Sequence, residues 1–285
     1  MKNKYTGTLY IVPTPIGNLE DITIRAINTL KYVDLIASED TRNTKFLLKT
    51  FNIHTSMISF CKYNEKEKTK KIIIILKKKN IALVSNAGTP IINDPGYQLV
   101  KQCHKKNIRI IPLPGACSAI TALSVSGLPS NQFCYEGFLP KKKTIKINFL
   151  KTLKTETRTT ILYESCHRIL QSIKDIVKIL GINKNITLIK EITKKWETIK
   201  YGKSTDILLW LKKNKLRQKG EIIIILQGYT KKNIHPFSSH VLNTLSILTT
   251  KLPMKQSVQL TASIHKINKN NLYKYVINKI KNDKK

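Results

Sequence analysis

Residues 81–96 read Ile-Ala-Leu-Val-Ser-Asn-Ala-Gly-Thr-Pro-Ile-Ile-Asn-Asp-Pro-Gly, a four-residue apolar run followed by small, polar and turn-forming residues. A short apolar run bounded by turn residues predicts a buried strand. Gly88 admits a positive φ, and Pro90 cannot extend a central strand. Asp94 before Pro95 predicts an N-cap with Pro in the first helical turn. The same strand–loop–helix pattern occurs at residues 9–18, with Pro13, Pro15 and Gly17 in the loop, and at 108–118, with Pro114 and Gly115. Strands alternating with helices imply a parallel sheet, whose ligands sit at the carboxyl ends of the strands. One such loop is equally explained as a simple chain reversal. Three at one sheet edge predict a shared ligand cleft.

A chain of 285 residues holds two ordinary domains or one large one, and 41% hydrophobic residues support a sizeable core. The net charge of +34 points to a polyanionic partner. Only six of the 51 basic residues are Arg, however, and Lys, Ile and Asn are abundant throughout, as in the coding of an A/T-rich genome. The basicity is diffuse, so it supports nucleic acid without locating a contact. The cysteines, 61, 103, 117, 134 and 166, form no CxxC pair and have no zinc-type spacing with His. Reduced thiols in a cytoplasmic protein are the simplest reading, with no metal. No apolar run approaches the ~18 residues that span a bilayer, and no signal-type core precedes Pro13, so no membrane partner is expected.

Along the chain, Asp21 is expected to cap a helix with Ile24, Ile27 and Leu30 on one face. Residues 34–38 form a strand ending in Glu39-Asp40-Thr41-Arg42. These carboxylates suit acid–base or hydroxyl-binding work, and equally Asp40 or Thr41 caps the next helix. Asn64 and Glu67 resemble a capping box. Residues 116–127 make a small-residue helix fit for close packing or close approach to a ligand. The segment 127–131 is the best boundary, after which the pattern restarts with strands at 133–138, 159–163, 186–189 and 222–226. Gly181 stops the helix carrying Ile169, Ile173 and Ile176. From Ser239 strand signals cease, and short helices around Pro253 resemble a helix-turn-helix. That gives domains 1–128 and 129–232, both α/β, and a helical extension 239–285. Neither a GxxxxGK[ST] loop nor GxGxxG nor HExxH occurs. A nucleotide-like ligand held mostly by backbone groups is the reading that remains.

Several motifs together resemble the ribosomal RNA small subunit methyltransferase I family of the tetrapyrrole methylase superfamily. They are residues 12–19 (Val-Pro-Thr-Pro-Ile-Gly-Asn-Leu), Glu39-Asp40-Thr41-Arg42, Ala87-Gly88-Thr89-Pro90 with Asp94-Pro95-Gly96, Tyr163-Glu164-Ser165 with His167-Arg168, Glu191 with Thr193-Lys194, and Gly220-Glu221. The resemblance covers essentially the whole chain. It implies two α/β domains with S-adenosylmethionine in the cleft between them, a homodimer, and 2′-O-methylation of a cytidine in the decoding centre of 16S rRNA. Carried over residue by residue, it implies that Pro15, Gly17, Asn18, Ser85, Asn86, Ala87, Gly88, Thr89, Pro90, Pro114, Gly115, Ser118 and Ala119 line the cofactor. The helical tail looks like the family's RNA-binding extension.

A ribose hydroxyl is a weak nucleophile, so a base or charge-stabilising group is expected. Glu39, Asp40 and Glu164 are the candidates, with Lys194 as an electrostatic helper. The sequence departs from the family pattern at Asn86, where Asp is usual, and at Cys61 and Tyr63, where His is usual. A tetrapyrrole methylase of the same fold, and a cofactor-binding assembly factor that has lost catalysis, are the alternative functions.

Overall fold

The computed structural model describes residues 5–229 and 237–282. They fall into two compact units divided after Tyr229. Residues 230–232 of the expected second domain and 283–285 of the expected tail lie outside the described residues.

The first unit holds two five-stranded sheets. One is wholly parallel, in the order β3 (Met57–Ser59), β2 (Leu35–Ser38), β4 (Ile81–Val84), β1 (Thr8–Ile11), β5 (Arg109–Pro112). Helices cover both its faces, so β4 is apolar at every position. Ile81 and Leu83 pack with α3 (Glu65–Ile75) and α4 (Tyr97–Lys105), while Ala82 and Val84 pack with α1 (Ile24–Tyr32) and α2 (Thr41–Thr50). A strand buried on both faces reads as a continuous apolar run for this reason.

The second sheet has the order β6 (Phe133–Phe138), β7 (Thr159–Glu164), β10 (Ile222–Leu226), β8 (Asn185–Lys190), β9 (Thr198–Lys203). Only β6 and β7 are parallel; β10 runs antiparallel between β7 and β8. The restarted alternation of the sequence therefore does not make a second parallel sheet. Ile222, Ile224 and Leu226 face α6 (Lys143–Thr152), α7 (Ile169–Leu180) and α8 (Ser204–Lys213). Ile223 and Ile225 face the other way, onto Ala119 and Ala122 of α5 (Ser118–Ser124). Each such fully buried Ile contributes about 1.5–3 kcal/mol. The small side chains of α5 thus serve close packing against the second sheet, and Ala119 belongs to this core.

Three helix starts differ from the sequence expectation. α1 is capped by Thr23, whose hydroxyl accepts from the Ala26 N–H, while Asp21 ends a preceding 3-10 turn, Leu19–Asp21. Ile24 is 79% exposed, and the buried face is Ala26, Thr29 and Leu30. No capping box forms at α3. The Asn64 side-chain Oδ1 accepts from the Cys61 N–H, and Glu67 pairs with Lys71 at 2.6 Å. At α4 the cap is Gly96 with φ 134°, and the Glu65 carboxylate of α3 accepts from the N–H groups of Gly96 and Gln98 at 3.0 and 3.1 Å. A carboxylate from another helix satisfies the orphan donors, which releases Asp94 from capping. α7 does end at Gly181, φ 99°.

The second unit is helical. α9 (Ser239–Thr249), α10 (Met254–Ile264) and α11 (Lys269–Asn282) share a core of Val241, Leu245, Val258, Ala262, Leu272 and Val276. Ser238 caps α9, and Pro253 immediately precedes α10.

Candidate functional site

The carboxyl ends of β1, β4 and β5 are tied into one surface by hydrogen bonds. Thr14 and Gly88 exchange both backbone bonds, at 3.0 and 2.9 Å. The Thr14 hydroxyl donates to the Ser85 carbonyl at 3.2 Å, and the Ser85 hydroxyl to the Gly88 carbonyl at 3.0 Å. The Thr89 hydroxyl reaches the Ala116 carbonyl at 2.9 Å, which joins the third loop. Glu39, at the end of β2, accepts from the Asn86 N–H at 3.3 Å. Gly88 holds φ 84°, and a Cβ there would lie 3.1 Å from the Ile16 methyl. Gly115 and Gly17 also serve close approach of protein to protein. A Cβ at Gly115 would sit 2.6 Å from the Pro13 ring, and one at Gly17 within 2.6 Å of Thr193 and Lys194, in the loop after β8.

Between this edge and the second sheet lies a cleft of about 290 Å³. Ala87 and Ser118, two of the residues that the resemblance implies for the cofactor, line it together with Glu164. The sequence reading missed Ile92, Asn93, Asp94, Phe138, Tyr163 and Ile192. Ser118 and Tyr163 share a hydrogen bond of 2.5 Å across the cleft, and Phe138 stands edge-on to Tyr163 with ring centroids 5.5 Å apart. Two wall segments hold non-glycine residues in the left-handed region, Ile91 (77°) and Asn93 (71°) on one side and Glu191 (52°) and Thr193 (64°) on the other. Such strain gathers at ligand sites; it offers the one local signal in these segments, and it is invisible in residue type.

The remaining residues implied by the resemblance separate into two groups. Pro15, Ser85 and Asn86 line a smaller hollow of about 130 Å³ on the other side of the β4 loop, against α2. Asn18 caps the 3-10 turn through the Glu20 N–H, Pro90 is buried, and Pro114 is exposed. Cys61 is a free thiol and Tyr63 is fully exposed.

All four candidate catalytic groups have partners already, Glu39 through the Asn86 N–H. Asp40 caps α2 through the Arg42 N–H, and hydrogen bonds from Arg42 hold its carboxyl below the usual range. The Glu164 side chain is fully buried (0% exposed), bonded to Arg168 at 2.6 Å, the Ser172 hydroxyl at 2.5 Å and the Ser165 N–H at 2.7 Å. It forms part of the cleft wall with its carboxylate turned to those donors. Lys194 pairs with Glu221 at 3.0 Å and Glu191 at 3.4 Å. Burial of its ammonium works against the charge, but the two carboxylates outweigh it and raise its pKa. Gly220, φ 92°, leaves the space that Glu191 fills, and the Glu191 carboxylate accepts from the Glu221 N–H at 2.7 Å.

Asp94 differs from all of these. Half-buried in the cleft wall, it has no ion pair among the described residues. Burial, then the Glu39 charge, push its pKa up to about 6, against weaker opposing effects of Lys62 and Ser85. A carboxylate poised near neutrality in a cleft is suited to proton transfer.

Residues 8–208 match the family described as Tetrapyrrole (Corrin/Porphyrin) Methylases. The chain is 56% identical over 280 residues to Ribosomal RNA small subunit methyltransferase I of Buchnera aphidicola subsp. Acyrthosiphon pisum, spanning 98% of this chain and 99% of that one. With the protein of the same name from Escherichia coli O157:H7 it shares 49% identity over 272 residues, 95% of each chain. Among solved structures, a diphthine synthase aligns with TM-score 0.60 at 14% identity, covering 78% of this chain and 90% of that one. The uroporphyrin-III-C-methyltransferase of Thermus thermophilus aligns with TM-score 0.53 at 16% identity, covering 78% and 94%. At those identities the two structures speak for the fold alone.

Proposed function

The chain belongs to the tetrapyrrole methylase family and, within it, to the ribosomal RNA small subunit methyltransferase I family, and on that premise we propose that it methylates the ribose 2′-oxygen of a cytidine in the decoding centre of 16S rRNA, using S-adenosylmethionine. The observation that carries this reading is 56% identity across 98% of the chain, both sheets and the helical tail included. The same reading makes it a cytoplasmic homodimer whose tail, residues 239–285, binds RNA.

The cleft's chemistry fits the donor. Ile92 and Phe138 offer apolar surface for a purine, and Ser118 and Tyr163 offer hydroxyls for a ribose. Its volume of about 290 Å³ stands at the lower end of the roughly 300–1,000 Å³ usual for small-molecule sites. Bound S-adenosylmethionine supplies an electrophilic methyl group on a cationic sulfur. The protein's task is to hold the ribose oxygen in line with it, at about 3–3.5 Å, and to receive the hydroxyl proton. The stitched loops of β1, β4 and β5 provide a rigid frame for that alignment, and the packing of Gly17 against Thr193 brings the loop after β8 to the same frame.

The test is mass analysis of decoding-region rRNA after incubation of 30S subunits with the pure protein and S-adenosylmethionine. A single 2′-O-methylated cytidine is expected. Cofactor binding with no transfer to 30S subunits would instead favour the assembly-factor reading, and transfer to a tetrapyrrole the other.

Asn86 bears on whether catalysis is intact. Its N–H is held by Glu39, and the bonds that shape its loop use Thr14, Ser85 and Gly88, with no contribution from its side-chain amide. The side chain lies at the smaller hollow rather than in the larger cleft. Asn86→Asp is therefore expected to change the single-turnover rate by less than ~10-fold. A rise of ~100-fold, the scale of a restored general base, would mark Asn86 as a catalytic lesion.

Removal of residues 239–285 is expected to leave S-adenosylmethionine affinity near the full-length value and to weaken binding to 30S subunits. Their core is their own, Val241 to Val276. The lost affinity should fall with salt, since Lys contacts to phosphate release counterions. Equal binding of truncated and full-length protein across a salt series would make the tail purely structural.

A further inference from the structure

Resting on the reading as a ribose 2′-O-methyltransferase, we propose that Asp94 is the catalytic residue that receives the 2′-hydroxyl proton. The other acidic groups at this edge are committed elsewhere. Asp40 caps a helix and binds Arg42, Glu164 is saturated by Arg168, Ser172 and Ser165, and Glu191 and Glu221 hold Lys194. Glu39 accepts from the Asn86 N–H and does not line the larger cleft. Asp94 alone combines a place in the cleft wall with freedom from any ion pair among the described residues.

Two features of the fold produce this state. Glu65 of α3 takes over the capping of α4, so Asp94, two residues before the cap Gly96, has no helix end to satisfy. The preceding segment holds Asn93 at φ 71° and Ile91 at φ 77°, and residues 92–94 line the cleft; for the β-branched Ile91 that conformation costs about 1–3 kcal/mol.

In the step itself the ribose oxygen forms its bond to the methyl carbon as the carbon–sulfur bond of the sulfonium donor breaks. The sulfur keeps the electron pair and becomes a neutral thioether. The hydroxyl proton passes to an Asp94 carboxylate oxygen and then to solvent. The charged and titratable groups facing Asp94 are Glu39 beyond β2, Lys62 after β3, and Tyr135 and Tyr163 of the second sheet. Glu39 favours the protonated form and Lys62 the ionised one, with burial the largest influence.

Single-turnover methylation of 30S subunits by the full-length protein tests this, with each rate measured at subsaturating S-adenosylmethionine, where the profile reports the donor-free protein, across about pH 5–8. The wild-type rate should rise through about pH 6 and level off, as Asp94 ionises. Asp94→Asn, nearly isosteric, should lower the plateau by ~10²–10⁴-fold and abolish that limb, with calorimetric donor affinity close to wild type; Asp94→Glu should regain part of the rate. A readout without turnover is thermal stability. Since folding raises this carboxyl from 3.8 to about 6, its ionisation opposes folding; the stability present at low pH is lost as pH rises through about 6. The Asp94→Asn protein should therefore melt above wild type at pH 7 and the advantage should vanish near pH 4. A wild-type rate flat from pH 5 to 8, a variant within ~10-fold of wild type, or a variant whose donor affinity falls as far as its rate each overturns the proposal. No methyl transfer by the wild-type protein overturns the functional reading and this proposal together; transfer with an unaffected variant overturns this one alone.

Discussion

Replacing Lys146 with Met should destabilise the fold by about 3–5 kcal/mol, measured as a fall in the urea midpoint at unchanged m-value. Lys146 lies on α6 with its ammonium 2.7 Å from the Asp175 carboxylate of α7, the two side chains 7% and 9% exposed. It also donates to the Ser172 hydroxyl at 3.3 Å, which in turn donates to Glu164 at 2.5 Å. Gln171 supplies one further bond to Asp175, at 2.9 Å. Without the ammonium, Asp175 keeps only that neutral donor and remains a buried, uncompensated charge. The loss is a desolvation penalty rather than the value of an attraction. Replacing both partners by apolar residues, Lys146→Met with Asp175→Leu, should accordingly recover stability to wild type or above, as buried pairs often do. A single-variant cost below ~1 kcal/mol, the range of an exposed pair, would show that the pair is solvated in solution.

Gly88→Val is expected to weaken S-adenosylmethionine binding by ~10- to 100-fold or more. The backbone there holds φ 84°, and a Cβ would stand 3.1 Å from the Ile16 methyl and 3.5 Å from the Ala116 carbonyl. Valine is β-branched and poorly tolerated at positive φ. Both polar backbone atoms of Gly88 are bound to Thr14, so the chain cannot turn without opening the β1–β4 stitch. A strain of about 1–3 kcal/mol, at 1.4 kcal/mol per decade of affinity, gives the stated range when it is relieved by moving the loop. Gly127→Ala is the control, since it also has positive φ (66°) but nothing within 4 Å of the added carbon. It should cost stability and leave calorimetric affinity intact. Unchanged affinity in a folded Gly88→Val protein would show that the loop takes no part in the cofactor site.

Much of this protein was legible along the chain because its signals are local. The apolar run Ile81–Val84, the all-apolar Ile222–Leu226 and the stop at Gly181 each depend on a few adjacent residues, and the structure holds them at those positions. The loops after β1, β4 and β5 share one edge because parallel strands alternating with helices leave no other arrangement. What the sequence could not decide rests on groups distant in the chain. Glu65 reaches Gly96, 31 residues on, and leaves an expected capping aspartate as a cleft carboxylate with no ion pair among the described residues. Lys146, one cation in a strongly basic chain, is distinguished from solvated lysines only by its burial against Asp175. Glu164 has the composition of a catalytic acid and the surroundings of a structural one, set by Arg168 and Ser172. The antiparallel entry of β10 between β7 and β8 likewise has no local signature. Strand periodicity and turn chemistry are encoded over a few residues, whereas the ionisation and partnership of a carboxylate are fixed by whichever charges and donors the tertiary fold brings to it.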